Sequence, residues 1–149
     1  MSYKTARPYL AAFLLLRRSG KIAFILRSQT EWMNGYYGLP AGKAEVNERA
    51  SAAAVREAME EAGVVVRESD LQFVHACHRY SSDNTLAWVD ILFEAHIWKG
   101  EPNNAEPHKH SELIWIDPDS PPDNTIPAVK HFLTQIQAGV KYSEYGWKE

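Results

Sequence analysis

The sequence predicts an α/β fold, with a sheet packed between helices. Two observations carry this. Short, apolar, strand-like segments lie on both sides of one alanine-rich helical segment near residues 48–62, and a second amphipathic segment closes the chain. The length of 149 residues is near the modal size of one domain, so residues 1–149 read as a single domain.

The elements follow in order. Tyr9–Leu16 is an unbroken apolar run, which predicts a buried strand. Arg17-Arg18-Ser19-Gly20 turns the chain, and Lys21–Arg27 returns as the second half of a hairpin. Trp32 to Lys43 holds three glycines, a proline and three aromatics, and reads as a loop. Asn47 is a helix N-cap candidate and Gly63 a C′ candidate, so a helix spans about Glu48 to Ala62. Ala52, Val55, Met59 and Ala62 recur at helical spacing, and this stripe is expected to face the core. Val64–Arg67 is extended. Leu71–Tyr80 and Thr85–Trp98 read as strands around a turn at Ser81–Asn84. Lys99–Lys109 is a loop, Glu112–Ile116 a strand, and the proline-rich stretch Asp117–Thr125 irregular. Pro127 suits a helix N1 position, and Val129, Phe132, Leu133 and Ile136 form the stripe of a closing helix that Gly139 ends. The tail from Val140, with Tyr142, Tyr145 and Trp147, is apolar enough to pack on its own domain or on a partner.

Composition excludes some classes. An apolar share of 45% is ordinary for a globular protein. A net charge of −3 gives no general reason to hold DNA or RNA, although Arg7, Arg17, Arg18, Lys21 and Arg27 cluster in the first strands. No stable nucleic-acid complex and no membrane association are expected. The single cysteine, Cys77, has no internal disulfide partner, suits a reducing compartment, and reads as a core filler. The N-terminal stretch Met1 to Pro8 lacks a leader-like apolar core, and a cytoplasmic location is the expectation. His75/His78 and His108/His110 are pairs without zinc-ligand spacing; His78, Arg79 and Tyr80 at a strand end can instead face the cleft, and His131 is expected to face solvent.

The most informative residues are Gly42, Glu48, Arg56, Glu57, Glu60, Glu61 and Gly63, spaced G-x5-E-x7-R-E-x-x-E-E-x-G. Glu57, Glu60 and Glu61 fall at i, i+3 and i+4, on one helix face. On a fully solvated helix each like-charge pair costs only about 0.2–0.5 kcal/mol. Half-buried, at an effective dielectric near 20, a pair about 5–6 Å apart costs on the order of 3 kcal/mol. A hard divalent cation with oxygen ligands offsets that, and Mg2+ fits best. Arg56 can hold a carboxylate through a forked hydrogen-bond pair, or form a plain surface ion pair. Gly42 allows close backbone approach, and a carbonyl of Ala41 or Gly42 can join the carboxylates. Lys43 can meet a phosphate as a point charge.

Gly42 through Val64 resembles the signature of the Nudix hydrolase family at every charged and glycine position. The resemblance implies a loop–helix–loop motif against a mixed β-sheet in an α/β/α sandwich. It implies Mg2+ or Mn2+, and hydrolysis of a nucleoside diphosphate linked to another group. It implies Glu57, Glu60 and Glu61 as metal ligands, with Ala41 or Gly42 giving a backbone oxygen and Glu48 and Arg56 in support. Ala41, Arg49 and Ala58 depart from the family's usual residues, in ways that touch packing and loop shape. The segment from Trp98 to Lys109, with Glu112 and Trp115, resembles members that cut free nucleoside triphosphates into monophosphate and pyrophosphate. In that reading Glu106 or Glu112 assists the metal or a water. Candidate substrate contacts are Arg27, Trp32, Tyr36, Tyr37, Lys43 and Trp115, the aromatics by stacking on a base. The alternatives are a hydrolase of ADP-ribose, another sugar nucleotide or a dinucleotide, and a non-catalytic nucleotide-sensing or RNA-binding domain. The expected partner is a small nucleotide, and the expected state a monomer or homodimer.

Overall fold

The computed structural model describes residues 4–148. Met1–Tyr3 and Glu149, the ends of the N-terminal stretch and the tail read above, lie outside them. Eight strands and two helices follow in the order β1 (Tyr9–Arg18), β2 (Lys21–Arg27), β3 (Tyr37–Gly38), β4 (Ala41–Lys43), α1 (Ala50–Ala62), β5 (Gln72–Ser81), β6 (Leu86–Ala95), β7 (His110–Ile116), α2 (Pro127–Gln137) and β8 (Tyr142–Tyr145). They form a mixed sheet between the two helices, as the sequence predicts.

The continuous apolar run of β1 is explained by its place. Along one edge, Tyr9–Leu16 pairs parallel with β6. Its other edge is shared: Ala11–Phe13 pair with β4, whereas Arg17 and Arg18 pair with β2. Both faces are covered as well. Leu14 and Leu16 pack with Ala58, Ala62 and Val64 on the α1 side. Leu15, with Phe13 beside it, packs with Val129, Phe132 and Leu133 on the α2 side. A strand buried on both faces reads as a run rather than an alternation. Each fully buried Leu contributes about 1.5–3 kcal/mol of burial.

α1 lies close on this sheet because its packed residues are small: Ala53 and Ala54 touch Ala12, and Ala58 sits below Leu14 and Leu16. The stripe expected from Ala52, Val55 and Met59 is not the buried face. Ala53, Ala54, Glu57, Ala58 and Ala62 are buried, while Met59 is exposed. Hydrophobicity misassigns the face because the larger apolar side chains lie outside and two carboxylates lie inside, each with its own polar partner. The start also differs. Asn47 takes a left-handed backbone (φ 65°), Arg49 is the extended residue before the helix, and no side chain caps it. Asn caps helices and also tolerates positive φ, and here the turn prevails. Gly63 ends α1 at φ 69°, its N–H bonded back to Met59 O.

Cys77 fills the α2-side core. The tail packs on its own sheet: β8 runs parallel to β5, with Ala76 opposite Tyr142 and Arg79 opposite Tyr145. Trp147 donates to His78 O at 2.9 Å and lies against the His78 and Tyr80 rings. His131, read as solvent-facing, is half-buried and bonds Ser143 on β8 at 2.8 Å. No helix among the described residues is long and apolar enough to cross a membrane.

Candidate active site

The site lies where β1 passes from β4 to β2. Pro40 O accepts Leu14 N–H at 2.9 Å there, and α1 presents its acidic turns to the opening. Gly42 stands against Glu57, and a Cβ at that position would overlap the Glu57 carboxylate. The glycine is what lets a helix carboxylate rest on the β4 backbone.

Arg56 organises the acids. Its Nε and Nη2 donate to the two Glu48 oxygens at 2.9 Å each, Nη1 to Glu57 at 2.8 Å and Glu60 at 3.3 Å, and Nη2 also to Lys43 O at 3.0 Å. It is a half-buried hub rather than a plain surface pair. The fork from Arg56, helped by the Glu45 N–H, holds the Glu48 carboxyl down to about 2. Glu61 takes a hydrogen bond from Ala41 N at 3.0 Å.

The inner acids behave oppositely to Glu48. Glu57 is only 8% exposed. Burial pushes its carboxyl up to about 7 against the pull of Arg56, and Glu60 and Glu106 push the same way. Burial drives Glu61 well above the ordinary carboxylate range, with Glu57 and Glu106 adding to it and the Ala41 N–H opposing. Glu106, on the β6–β7 loop, is therefore a fourth carboxylate near the cluster, tethered to Lys109 at 3.5 Å. Glu112 is elsewhere: it accepts the Tyr37 hydroxyl, which is pushed up to about 12 by that bond. Among the described residues, no three His, Cys, Asp or Glu side chains already converge on one point. Arg56 Nη1 bridges Glu57 and Glu60.

Beside the acids opens a cavity of about 310 Å³, reached by Glu61, Arg27, Lys43 and Trp32 and floored by Phe13 and Phe132. Arg27 lies under the Trp32 ring, 5.4 Å from its centroid, and donates to Trp32 O at 3.0 Å. Three other sequence candidates are outside this cavity. Tyr36 is exposed, Tyr37 stacks on Phe24, and Trp115 stacks on Trp98 beneath the Arg18 guanidinium.

The far wall holds Arg79, which the sequence reads with His78 and Tyr80 as able to face the cleft, and residues to which it gives no role. Arg79 donates to Asp90 through Nε at 2.6 Å and Nη2 at 3.0 Å, and its guanidinium lies 5.0 Å from the Trp88 ring centroid. Asp90 is fully buried. An acid inside the apolar run of β6 was the signal that could have found the pair. His110 lines the cavity too, and burial, with Arg27 and Lys109 nearby, pushes its imidazole down to about 4, so it is neutral.

Residues 6–136 match the family model of the NUDIX domain. A comparison with curated proteins finds no match. A MutT NUDIX hydrolase from Burkholderia pseudomallei superposes with a TM-score of 0.79 at 29% identity, covering 87% of this chain and 98% of that one. A NUDIX hydrolase from Nitrosomonas europaea gives 0.76 at 17% identity over 91% and 93% of the two chains. A MutT protein from Methanosarcina mazei Go1 gives 0.71 at 18% identity over 91% and 97%; these last two show the shared fold. With its acid-bearing helix seated on Gly42 and its match spanning most of the sequence, the chain belongs to the NUDIX family of hydrolases.

Proposed function

We propose that this hydrolase cuts a phosphoanhydride bond of a nucleoside triphosphate, giving a monophosphate and pyrophosphate, with Mg2+ as its metal and Mn2+ as a substitute. The observation that carries the reading is Glu61 in the wall of a cavity that Arg27 and Lys43 also line, with Glu57 seated on Gly42 beside it.

The residues fit such an ion. Every donor is a hard oxygen, which suits Mg2+. Two carboxyls that burial and mutual repulsion push toward protonation gain most from a cation. Glu57, Glu60 and Glu61 would hold it, with a carbonyl of Ala41 or Gly42 and with Glu106. Once bound, it supplies charge neutralisation for the phosphates and a more acidic water.

The chain's own groups do the remaining work. Arg56 keeps Glu57, on α1, and Glu48, just ahead of it, in fixed positions. Lys43 and Arg27 meet phosphate oxygens and fix the chain of phosphates against the acids. A carboxylate of the cluster takes the proton of the attacking water. The water oxygen forms a new bond to phosphorus, the bridging P–O bond breaks, and its electron pair leaves with the departing phosphate. Position and electrostatics supply most of the rate.

Product chromatography over a nucleotide panel tests this. Monophosphate plus pyrophosphate from a triphosphate, lost with EDTA and in a Glu60→Gln/Glu61→Gln double variant, is the expected result. AMP plus ribose phosphate from ADP-ribose, with triphosphates inert, would replace the triphosphate by a sugar nucleotide. Turnover undiminished in the double variant would remove the acids from the mechanism.

A further inference from the structure

The wall opposite the acids offers a ligand almost nothing but hydrogen-bond donors. Arg79 engages Nε and Nη2 with Asp90, which leaves Nη1 uncommitted and closes Asp90 as an acceptor. Lys43 Nζ, which meets the phosphates, borders this wall, 4.6 Å from the Tyr9 ring centroid and 5.6 Å from that of Trp88. Trp88 Nε1 is a buried N–H with no partner, a group that folded proteins rarely leave unsatisfied. The first turn of α2 has no side-chain cap, so the N–H groups of Ala128 and Val129, which line the cavity, add to the donors.

Acceptors are scarce. Over Ala11–Phe13, β1 is paired on both edges, so the backbone carbonyls of the floor are engaged in the ladder. Tyr37 O takes the Ile126 N–H. The acceptor side chains of the cavity are Glu61 and neutral His110, and both belong to the Arg27 end, beside the acids.

We propose that this wall selects a base bearing ring carbonyls, of the uracil or hypoxanthine kind, over one with an exocyclic amino group in the same position, such as cytosine or adenine. Arg79 and the Trp88 N–H are the specificity-determining groups. A carbonyl oxygen accepts from them; an amino group meets further donors and is buried unpaired. Cation–indole stacking at Trp88 and Arg79 holds the ring in plane. An unpaired buried polar group weakens binding by on the order of tenfold or more. This inference rests on the nucleotide reading above, and its test separates the two.

The experiment measures equilibrium binding, without metal, of matched pairs that differ at one position: uridine against cytidine monophosphate, and inosine against adenosine monophosphate. Hydrolysis of the four triphosphates is measured alongside with Mg2+. The expected result is tighter binding of the oxo member of each pair by about tenfold, with the same ordering in kcat/KM. Oxo-selective binding with no turnover of any triphosphate upholds this inference and defeats the proposed reaction. Equal binding within each pair, preference for the amino member, or no binding of any of the four overturns the inference, whatever the hydrolysis data show. In a Trp88→Phe variant, which keeps the ring and loses the N–H, the preference should fall severalfold. An Arg79→Gln/Asp90→Asn double variant places amide acceptors on the wall without leaving a lone charge, and should abolish or invert the preference; circular dichroism verifies its fold.

Discussion

At the scale of single residues, Gly42 and Glu57 form the tightest fit of the site. In Gly42→Ala the new methyl meets the end of a side chain, not backbone, so the carboxylate moves and the strand stays. Stability should change by less than about 1 kcal/mol, whereas Mn2+ affinity should fall roughly tenfold or more. Calorimetry of metal binding and a thermal melt check both halves. The raised Glu57 carboxyl sets a pH dependence. Its folded value of about 7 exceeds its ordinary one of 4.5, so its contribution to stability is complete below pH 4.5 and is lost as pH rises through 7. His110 has the opposite sign: its stability is present above 6.5 and lost as pH falls toward 4. The Glu57 part is therefore read as a difference. Relative to Glu57→Gln, the metal-free protein should lose Tm between pH 5 and 8, and Mg2+ should restore more of it at pH 8 than at pH 6. A difference that is flat over this range would remove the titration. The acidic residues themselves were legible, because fixed spacing on a helix survives without tertiary knowledge. Which way they pointed was not, since Glu57 shares the buried face with small alanines.

At the scale of elements, the tail strand β8 is held by a polar clip. His75 Nδ1 lies 2.7 Å from Val140 O and so carries its proton there; Nε2 then accepts from the Ser143 hydroxyl at 2.7 Å, and Ser143 Oγ accepts from His131 Nε2 at 2.8 Å. One hydroxyl thus joins β5, α2 and β8. Ser143→Ala leaves the fully buried His75 ring short of a partner and should cost about 1–3 kcal/mol. Denaturant titration measures the loss. Equal stability of the variant would show that the clip is only decorative. The sequence announced β1, β2, β5, β6 and both helices through length and apolar pattern. It did not announce β3, β4 or β8, because these short pieces become strands only when a partner edge is offered: β4 to β1, and β8 to β5. The same reason leaves Arg79 and Asp90 unread as a pair, since they meet only through the register of β5 on β6.

At the scale of the whole molecule, the two cores are separated by one strand. Leu14 faces the α1 core and Leu15 the α2 core, both fully buried. Truncating either to Ala should cost about 2–5 kcal/mol, by chemical denaturation. Because the α1 core also carries the acid-bearing turns, Leu14→Ala should weaken metal binding more than Leu15→Ala does. Equal effects on binding would argue against α1 as the coupling element.

The shared edge of β1 has a further consequence. The main-chain bond from Leu14 to Pro40 closes the crotch between two diverging strand partners, deep inside the protein. Catalytic scaffold and structural keel are then the same few peptide groups. Amide deuteration at Ala12 and Leu14 should proceed only through global opening, as slowly as the most protected core positions. Such an architecture forbids a loosened, half-competent hearth: the molecule is either intact and ready, or wholly undone.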